Sequence, residues 1–372
     1  MLLMKITQAN FVLSSFPKGL TVMTYEELFT FENLCEAHLK ARKCKRNKKD
    51  VIQFELNLSG NLWALYDALH SRTYKVSGYN KFYVYEPKLR EIQALEYKDR
   101  VVQHCLCDNY LYPLLTKRFI YDNGACQKGK GTDFALDRLS FFLRDYFKKN
   151  KSNEGYILKA DIHHYFPSID HECLKWKMRK IIRDKDILNL IEMIIDSYEN
   201  EPGKGIPMGN QTSQLFALYY LDGMDRQIKE RSHIKYYVRY MDDCILIHKD
   251  KKYLQSVLER MKEIVEDELG LEFNSKTQIF PIKNGVDFLG FHFYMTDTGK
   301  VIRKVRQSTK KKYKRRMKLM KYQYANREIE LEDIQKVLPG FHGHLSRGHT
   351  YRLVKHVLKD FVLVRHDKED IQ

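Results

Sequence analysis

Tyr236-Tyr237-Val238-Arg239-Tyr240 and Cys244-Ile245-Leu246-Ile247-His248 are β-rich runs separated only by Met241-Asp242-Asp243. Runs of that composition across so short a link read as a hairpin with two carboxylates at its tip. Adjacent acids beside buried strands repel each other and lose hydration, which is costly unless a divalent cation neutralises them. A hard-cation site is therefore one reading of the turn. A solvated turn that uses Asp for its local hydrogen bonding is the other.

The rest of the chain has to decide between them. With 372 residues, 43% hydrophobic, it can bury a full core and divide into two or three lobes. Lys and Arg outnumber Asp and Glu by 65 to 48, a net charge of +17 that a polyanion or an acidic membrane surface would explain. No apolar run reaches the roughly 18 residues of a membrane helix, and the Met1–Met4 opening is too short for a secretory leader. The 7 cysteines are scattered without a CxxC pair. Reduced structural thiols in a cytoplasmic protein, with no membrane partner and no zinc, are the expectation.

Along the chain, Thr24 and Glu27 form a capping pair for a helix through Leu28, Phe31, Leu34 and His38. The basic block Lys40–Lys49 follows, either a solvated face or a phosphate contact. A second helix spans Asn57–His70, and Lys81–Pro87 reads as a strand ended by its proline. Lys81, Lys88 and Arg90 lie on or beside extended segments, from which they could project off one sheet surface toward a triphosphate, or be ordinary outward-facing cations. Val101–Leu115 is a mostly apolar helix, and Asn123–Gly131 lacks the Gly-Lys-Ser/Thr register of a P-loop.

The apolar strand Tyr156–Ala160 ends at Asp161, where a second acid could meet the Met-Asp-Asp tip, and Phe166-Pro167-Ser168 leads into a helix near Asp170. His163 and His164 suit packing or surface roles better than Mg²⁺, which prefers oxygen. Gly205–Gln214 opens a helix that continues through Ile228, with Gly209 allowing close backbone approach. Lys252–Leu269 is an amphipathic helix, and Val286–Phe293 begins another hairpin. From Lys300 to Arg327 there are 13 Lys or Arg and no acid, interleaved with Tyr313, Met317, Met320 and Tyr324 at helical spacing. That pattern describes a basic helix suited to phosphate neutralisation. Leu338–Leu345 then reads as a turn before a closing helix to Val364.

Taken in this order, the motifs resemble those of a reverse transcriptase over about Lys81 to His349. They are the Arg-bearing segment Pro87–Gln103, Asp161-x4-Phe166, Met208-Gly209-x3-Ser213-Gln214, Tyr240-Met241-Asp242-Asp243, Ser275-Lys276-Thr277 and Phe288-Leu289-Gly290. Within the family the chain is most similar to the reverse transcriptases of bacterial diversity-generating retroelements. Val84–Lys88, Ala94–Gln103 and Ile206–Gly209 with Ser213-Gln214 carry that likeness, although Met208 stands where that class has Ile, Leu or Val. Several defence-associated bacterial enzymes share the same template.

The resemblance implies an α+β right-hand polymerase: an N-terminal helical extension over residues 1–80, fingers over 81–155, a palm over 156–298 that lends residues near 175–205 to the fingers, and a helical thumb over 299–372. It implies Asp161, Ile162, Asp242 and Asp243 around two Mg²⁺ ions, with Mn²⁺ as a substitute, and Lys276 as the group that protonates pyrophosphate or as a solvent-facing structural lysine. Lys81, Lys88, Arg90, Phe166, Met208, Gly209, Gln214 and Tyr240 would bind the incoming nucleotide, Phe166 excluding a 2′-hydroxyl. Phe288, Leu289 and Gly290 would grip the primer, and Lys310, Lys311, Lys314 and Arg315 would track the duplex. The implied partners are an RNA template, a DNA or RNA primer and dNTPs, together with a small basic accessory protein and a structured non-coding RNA. An apolar Met208 where retroviral enzymes place glutamine implies low fidelity, unless Met208 simply packs under the template-binding helix. The rival readings are a binding-only RNA protein on the same scaffold and template-independent end extension.

Overall fold

The computed structural model describes residues 23–85, 89–359 and 361–365, so Lys88 and residues 1–22 lie outside the described part. The described chain opens with α1 (Tyr25–Leu28), α2 (Phe31–Ala41), α3 (Lys49–Glu55) and α4 (Leu58–His70). The apolar spacing predicts one helix over residues 24–38, but the chain forms two. Thr24 and Glu27 close a capping box, and after Phe29 the Thr30 hydroxyl accepts from the Asn33 N–H as a second cap. Two cap residues this close give the backbone two helix starts.

An antiparallel hairpin follows, β1 (Tyr79–Val84) and β2 (Arg90–Leu95). Next come α5 (Tyr97–Leu106) and α6 (Tyr112–Thr116), joined by a π turn at Cys107–Leu111, and then α7 (Thr132–Asn150). β3 (Tyr156–Ala160) leads to α8 (Tyr165–Ser168), α9 (His171–Arg179), α10 (Lys185–Asp196), α11 (Gln211–Tyr220) and α12 (Asp222–Arg226). The acid hairpin is β4 (Tyr236–Tyr240) and β5 (Asp243–His248), followed by α13 (Lys251–Lys262) and β6 (Gln278–Pro281). β7 (Val286–Phe288), β8 (Phe291–Met295), β9 (Val301–Val305), α14 (Gln307–Ala325), α15 (Leu331–Ser346) and α16 (Tyr351–Lys359) complete the order. No described helix is long and apolar enough to cross a membrane.

Three expected boundaries move. The helix opened by Gly205–Gln214 breaks at Leu221 instead of running unbroken to Ile228. The first residues of the basic run are not helical: Val301-Ile302-Arg303-Lys304-Val305 pairs with β8, because its branched residues suit a strand more than its cations suit a helix. The expected turn at Leu338–Leu345 lies inside α15, which accommodates Pro339 in its interior at the loss of one N–H donor.

The chain divides into two units that exchange segments along the sequence. The first holds the chain up to Tyr121, Asp161–His233 and Val257–Ser275; the second holds Asp122–Ala160, Ile234–Ser256 and everything from Lys276. The first is mainly helical, with Leu28, Phe29, Leu34, Leu69, Val101 and Leu106 in its interior and the β1–β2 hairpin attached.

The second unit is built on an antiparallel sheet of order β4-β5-β3-β6, with a separate sheet β7-β8-β9. One face of the larger sheet, Ile157, Tyr236, Val238, Ile245 and Ile247, packs on Leu136, Leu139, Phe142 and Leu143 of α7. Phe288, Phe291 and Phe293 from the smaller sheet and Tyr313, Met317 and Met320 from α14 join the same core. Each fully buried side chain of this kind contributes roughly 1.5–3 kcal/mol, so the sheet that carries the acid turn is held from behind by a continuous apolar layer. Antiparallel sheets with segregated helices make the protein α+β.

Candidate active site

In the second unit, the register pairs Tyr240 with Asp243 and leaves Met241 and Asp242 as the turn. Met241 has φ +56°, a left-handed conformation that non-glycine residues take up only when something holds them there. Arg239 supplies the hold. Its side chain is fully buried, and Nη1 donates to the Met241 carbonyl at 2.8 Å. Its own backbone is fixed as well, its N–H donating to the Asp122 carbonyl and its carbonyl accepting from the Gly124 N–H.

Cross-strand pairs share a face, so Asp243, Tyr240, Ile245 and Lys159 lie on the side that packs on α7. Lys159 Nζ stands 3.4 Å from Asp243 Oδ2 and donates to the Asp287 carbonyl at 2.6 Å. The lysine thus joins the acid turn to the β7–β8 hairpin. Asp287 in turn accepts from His292 Nδ1 and from Arg306 Nε, each at 2.8 Å. Burial works against its ionisation, but these hydrogen bonds and the Arg306 charge prevail and hold its carboxyl below the usual aspartate range.

The tip of β7–β8 is Leu289-Gly290, with φ +46° and +88°, the two-residue turn that matches the twist of a hairpin. Phe288, expected at the primer, is buried in the core instead and anchors the hairpin, while Leu289 and Gly290 are half-buried, Leu289 packing against the same core. Tyr240, expected at the nucleotide, packs against that core too, its hydroxyl 3.5 Å from Thr132 Oγ1. Lys276 is exposed just before β6. Lys311, Lys314 and Arg315 are exposed along α14, and Lys310 is half-buried.

The first unit gathers a second group. Asp161 directly follows Ala160, whose strand partner is Cys244, and its carbonyl accepts from the Asn274 N–H at 2.7 Å. Ile162 is buried and bridged to Phe273. The Phe166 carbonyl accepts from the Ile206 N–H at 3.0 Å, which sets the Phe166 turn beside the Met208-Gly209 segment. Gly209 has φ +133°, and a Cβ there would sit 3.2 Å from the Gln93 carbonyl oxygen, so only glycine lets this segment lie against β2. Met208 is half-buried and Gln214 is exposed. Gln211, on the first turn of α11, is tied instead to Asp108 at 2.8 Å.

Lys81 and Arg90 do not share one sheet surface. Lys81 pairs with Gln93 and forms an ion pair with Glu91 at 3.2 Å, whereas Arg90 pairs with Val84 on the opposite face, that of Ile92. The pleat decides this, because residues an odd number apart in register point to opposite sides.

Among the described residues, no three or more His, Cys, Asp or Glu side chains are grouped as a metal site. The carboxylates of Asp161, Asp242 and Asp243 are nonetheless oxygen donors of the kind Mg²⁺ takes. Sequence reasoning missed Arg239 and Lys159. Their signal was present as single cations inside strands that are otherwise apolar and therefore buried.

These elements have a counterpart among known proteins. Residues 84–293, more than half of the chain, match the family described as reverse transcriptase (RNA-dependent DNA polymerase), and the chain belongs to that family. Protein YkfC of Escherichia coli (strain K12) is 22% identical over 277 residues, covering 63% of this chain and 72% of its own length. Among solved structures, apo telomerase from Candida tropicalis truncated from its C-terminal domain aligns with a TM-score of 0.47 and 16% identity, over 63% of this chain and 58% of that one. Telomerase from Candida albicans in complex with a TWJ fragment of telomeric RNA aligns with a TM-score of 0.47 and 15% identity, over 81% and 63%. The chain thus spans about six tenths of the telomerase chains it matches.

Proposed function

We propose that this chain is an RNA-directed DNA polymerase that joins deoxynucleoside triphosphates to a primer along an RNA template. The observation that carries the reading is the Met241-Asp242-Asp243 turn, fixed by a buried arginine at the end of a sheet strand whose neighbour runs directly into Asp161. Asp161 and Asp242 hold Mg²⁺, with the Ile162 carbonyl as a further oxygen and Asp243, engaged by Lys159, as the supporting carboxylate. Bound there, the metal supplies charge neutralisation for the attacking and leaving oxygens.

The chain's own residues do the rest. Phe166 closes the sugar pocket to a 2′-hydroxyl, Arg90 holds the triphosphate by its planar fork, and Lys276 donates a proton to departing pyrophosphate. Leu289-Gly290 steadies the primer, and α14 follows the duplex by its phosphates. In this reading β1–β2 belongs to the fingers, the four-stranded sheet to the palm and α14–α16 to the thumb. Met208 has no amide with which to test base-pair geometry, so synthesis is of low fidelity, as expected of a diversity-generating enzyme.

The test is extension of a primed RNA template with Mg²⁺ and dNTPs by wild type, Asp242→Ala/Asp243→Ala and Met208→Gln proteins. Extension that is lost in the double variant supports the polymerase, and extension that survives refutes the assigned acids. An error rate unchanged in Met208→Gln refutes the fidelity role.

A further inference from the structure

The basic block between α2 and α3 has no task in the chemistry above. Two of its cations are committed: Lys40 to Asp108 at 3.4 Å and Arg42 to Glu55 at 2.8 Å. Among the described residues, Lys43, Lys45, Arg46, Lys48 and Lys49 form no salt bridge, Arg46 only helping from a distance to hold down the Glu55 carboxyl that Arg42 already engages. The loop is nevertheless built. Lys43, Lys45 and Lys48 donate their backbone N–H groups to the carbonyls of Lys40, Arg42 and Lys45, and Cys44 takes a left-handed φ of +60° at its apex. The result is a hollow of about 540 Å³ lined by Cys44, Lys45, Arg46, Asn47 and Lys48.

Concentrating like charges around a hollow costs free energy that an anion would recover. Desolvation first, and then the neighbouring Arg100 guanidinium outside the hollow, hold the Lys45 ammonium below the ordinary lysine range. Asp50, the nearest acid in sequence, is already engaged by Arg100.

The geometry points to the Lys43–Lys49 loop as a docking surface for the phosphate backbone of folded RNA, separate from the strand being copied. Charge complementarity selects the partner, since three of the five lining side chains, Lys45, Arg46 and Lys48, are cations, none is acidic or aromatic, and Asn47 supplies a single neutral amide. RNA as the polyanion rests on the polymerase reading. The loop belongs to the first unit and α14 to the second, so the chain carries two phosphate-binding surfaces with no shared residue.

The experiment compares wild type with Lys45→Gln/Arg46→Gln/Lys48→Gln on two probes: a one-turn primer–template duplex, and the same duplex whose template continues into a long RNA hairpin. Binding is measured across a salt series, with thermal unfolding as the control for folding. For the hairpin probe the slope of log affinity against log salt should become shallower by about 2–3, at roughly 0.9 per lost phosphate contact, and affinity at moderate salt should fall ~10–100-fold. Binding and extension of the bare duplex should not change. Equal slopes for variant and wild type on the hairpin probe, or the same loss on both probes, overturns the proposal. If wild type extends neither probe yet the hairpin-specific slope difference is present, the docking surface stands and the polymerase reading falls.

Discussion

The β4–β5 hairpin and α14 both concentrate charge, and they hold it in opposite ways. The hairpin carries one acid in its turn and one at the start of β5, on strands that are otherwise largely buried, with one arginine locked under the turn and one lysine against Asp243. α14 carries Lys310, Lys311, Lys312, Lys314, Arg315, Arg316, Lys318 and Lys321, mostly exposed, and buries only Tyr313, Met317 and Met320. Of these cations only Lys310 stands in the first turn, where the macrodipole disfavours it, and the others run along the middle of the helix. Chemistry that depends on angles is built on buried supports, each without a substitute. Binding that depends only on charge is spread over many replaceable groups.

The contrast can be broken or sharpened by mutation, and the largest effect is expected beneath the turn. Arg239→Leu should destabilise the protein by roughly 3 kcal/mol, the upper range for deleting a hydrogen bond to a charged group in a buried site, and should abolish detectable extension. Chemical denaturation beside an extension assay checks both, and a stable, active variant would show that Met241 keeps its conformation unaided.

Lys159→Met should come next. Loss of the link between Asp243 and the Asp287 carbonyl should lower kcat by ~10–100-fold through misplacement of the acid, with KM for dNTP little changed and partial recovery in Lys159→Arg. A purely structural lysine would instead lower the melting temperature and leave the kcat of the folded fraction intact.

The smallest effect belongs to α14. Lys314→Gln should weaken duplex binding only a few-fold and flatten the salt slope by about 1. A loss as severe as that of Arg239→Leu would mean that α14 is as geometrically exacting as the hairpin, and the contrast would collapse.

How much of this was legible in the sequence follows the same division. The acid hairpin, the strand ending at Asp161 and the α+β class could be read, because alternation and a short turn over-determine a buried antiparallel pair. The basic helix could be read from Gln307 to Ala325, where Tyr313, Met317 and Met320 mark its buried stripe, but not the strand Val301–Val305 before it, where so short a stretch has no helical stripe to distinguish strand from helix. Whether Lys81 and Arg90 share one surface stays open in the sequence, because hairpin register depends on a loop length that composition does not reveal. Phe288 was placed at the primer because a motif names a position and not the direction of its side chain. Arg239 and Lys159 were passed over because a lone cation in an apolar strand becomes meaningful only once its neighbours' burial is known.

The order of the four-stranded sheet bears on how this protein is made. β3 lies between β5 and β6, and its Tyr156 pairs with His248 on one side and Pro281 on the other. The ribosome therefore releases β3 with both hydrogen-bonding edges bare, and the first partner follows about ninety residues later, roughly 5–20 s at ordinary elongation rates. During that interval an apolar strand with two open edges is a template for pairing with any other nascent chain. Lys159, the one charge along Tyr156–Ala160, then serves as a gatekeeper against aggregation before it is needed beside Asp243.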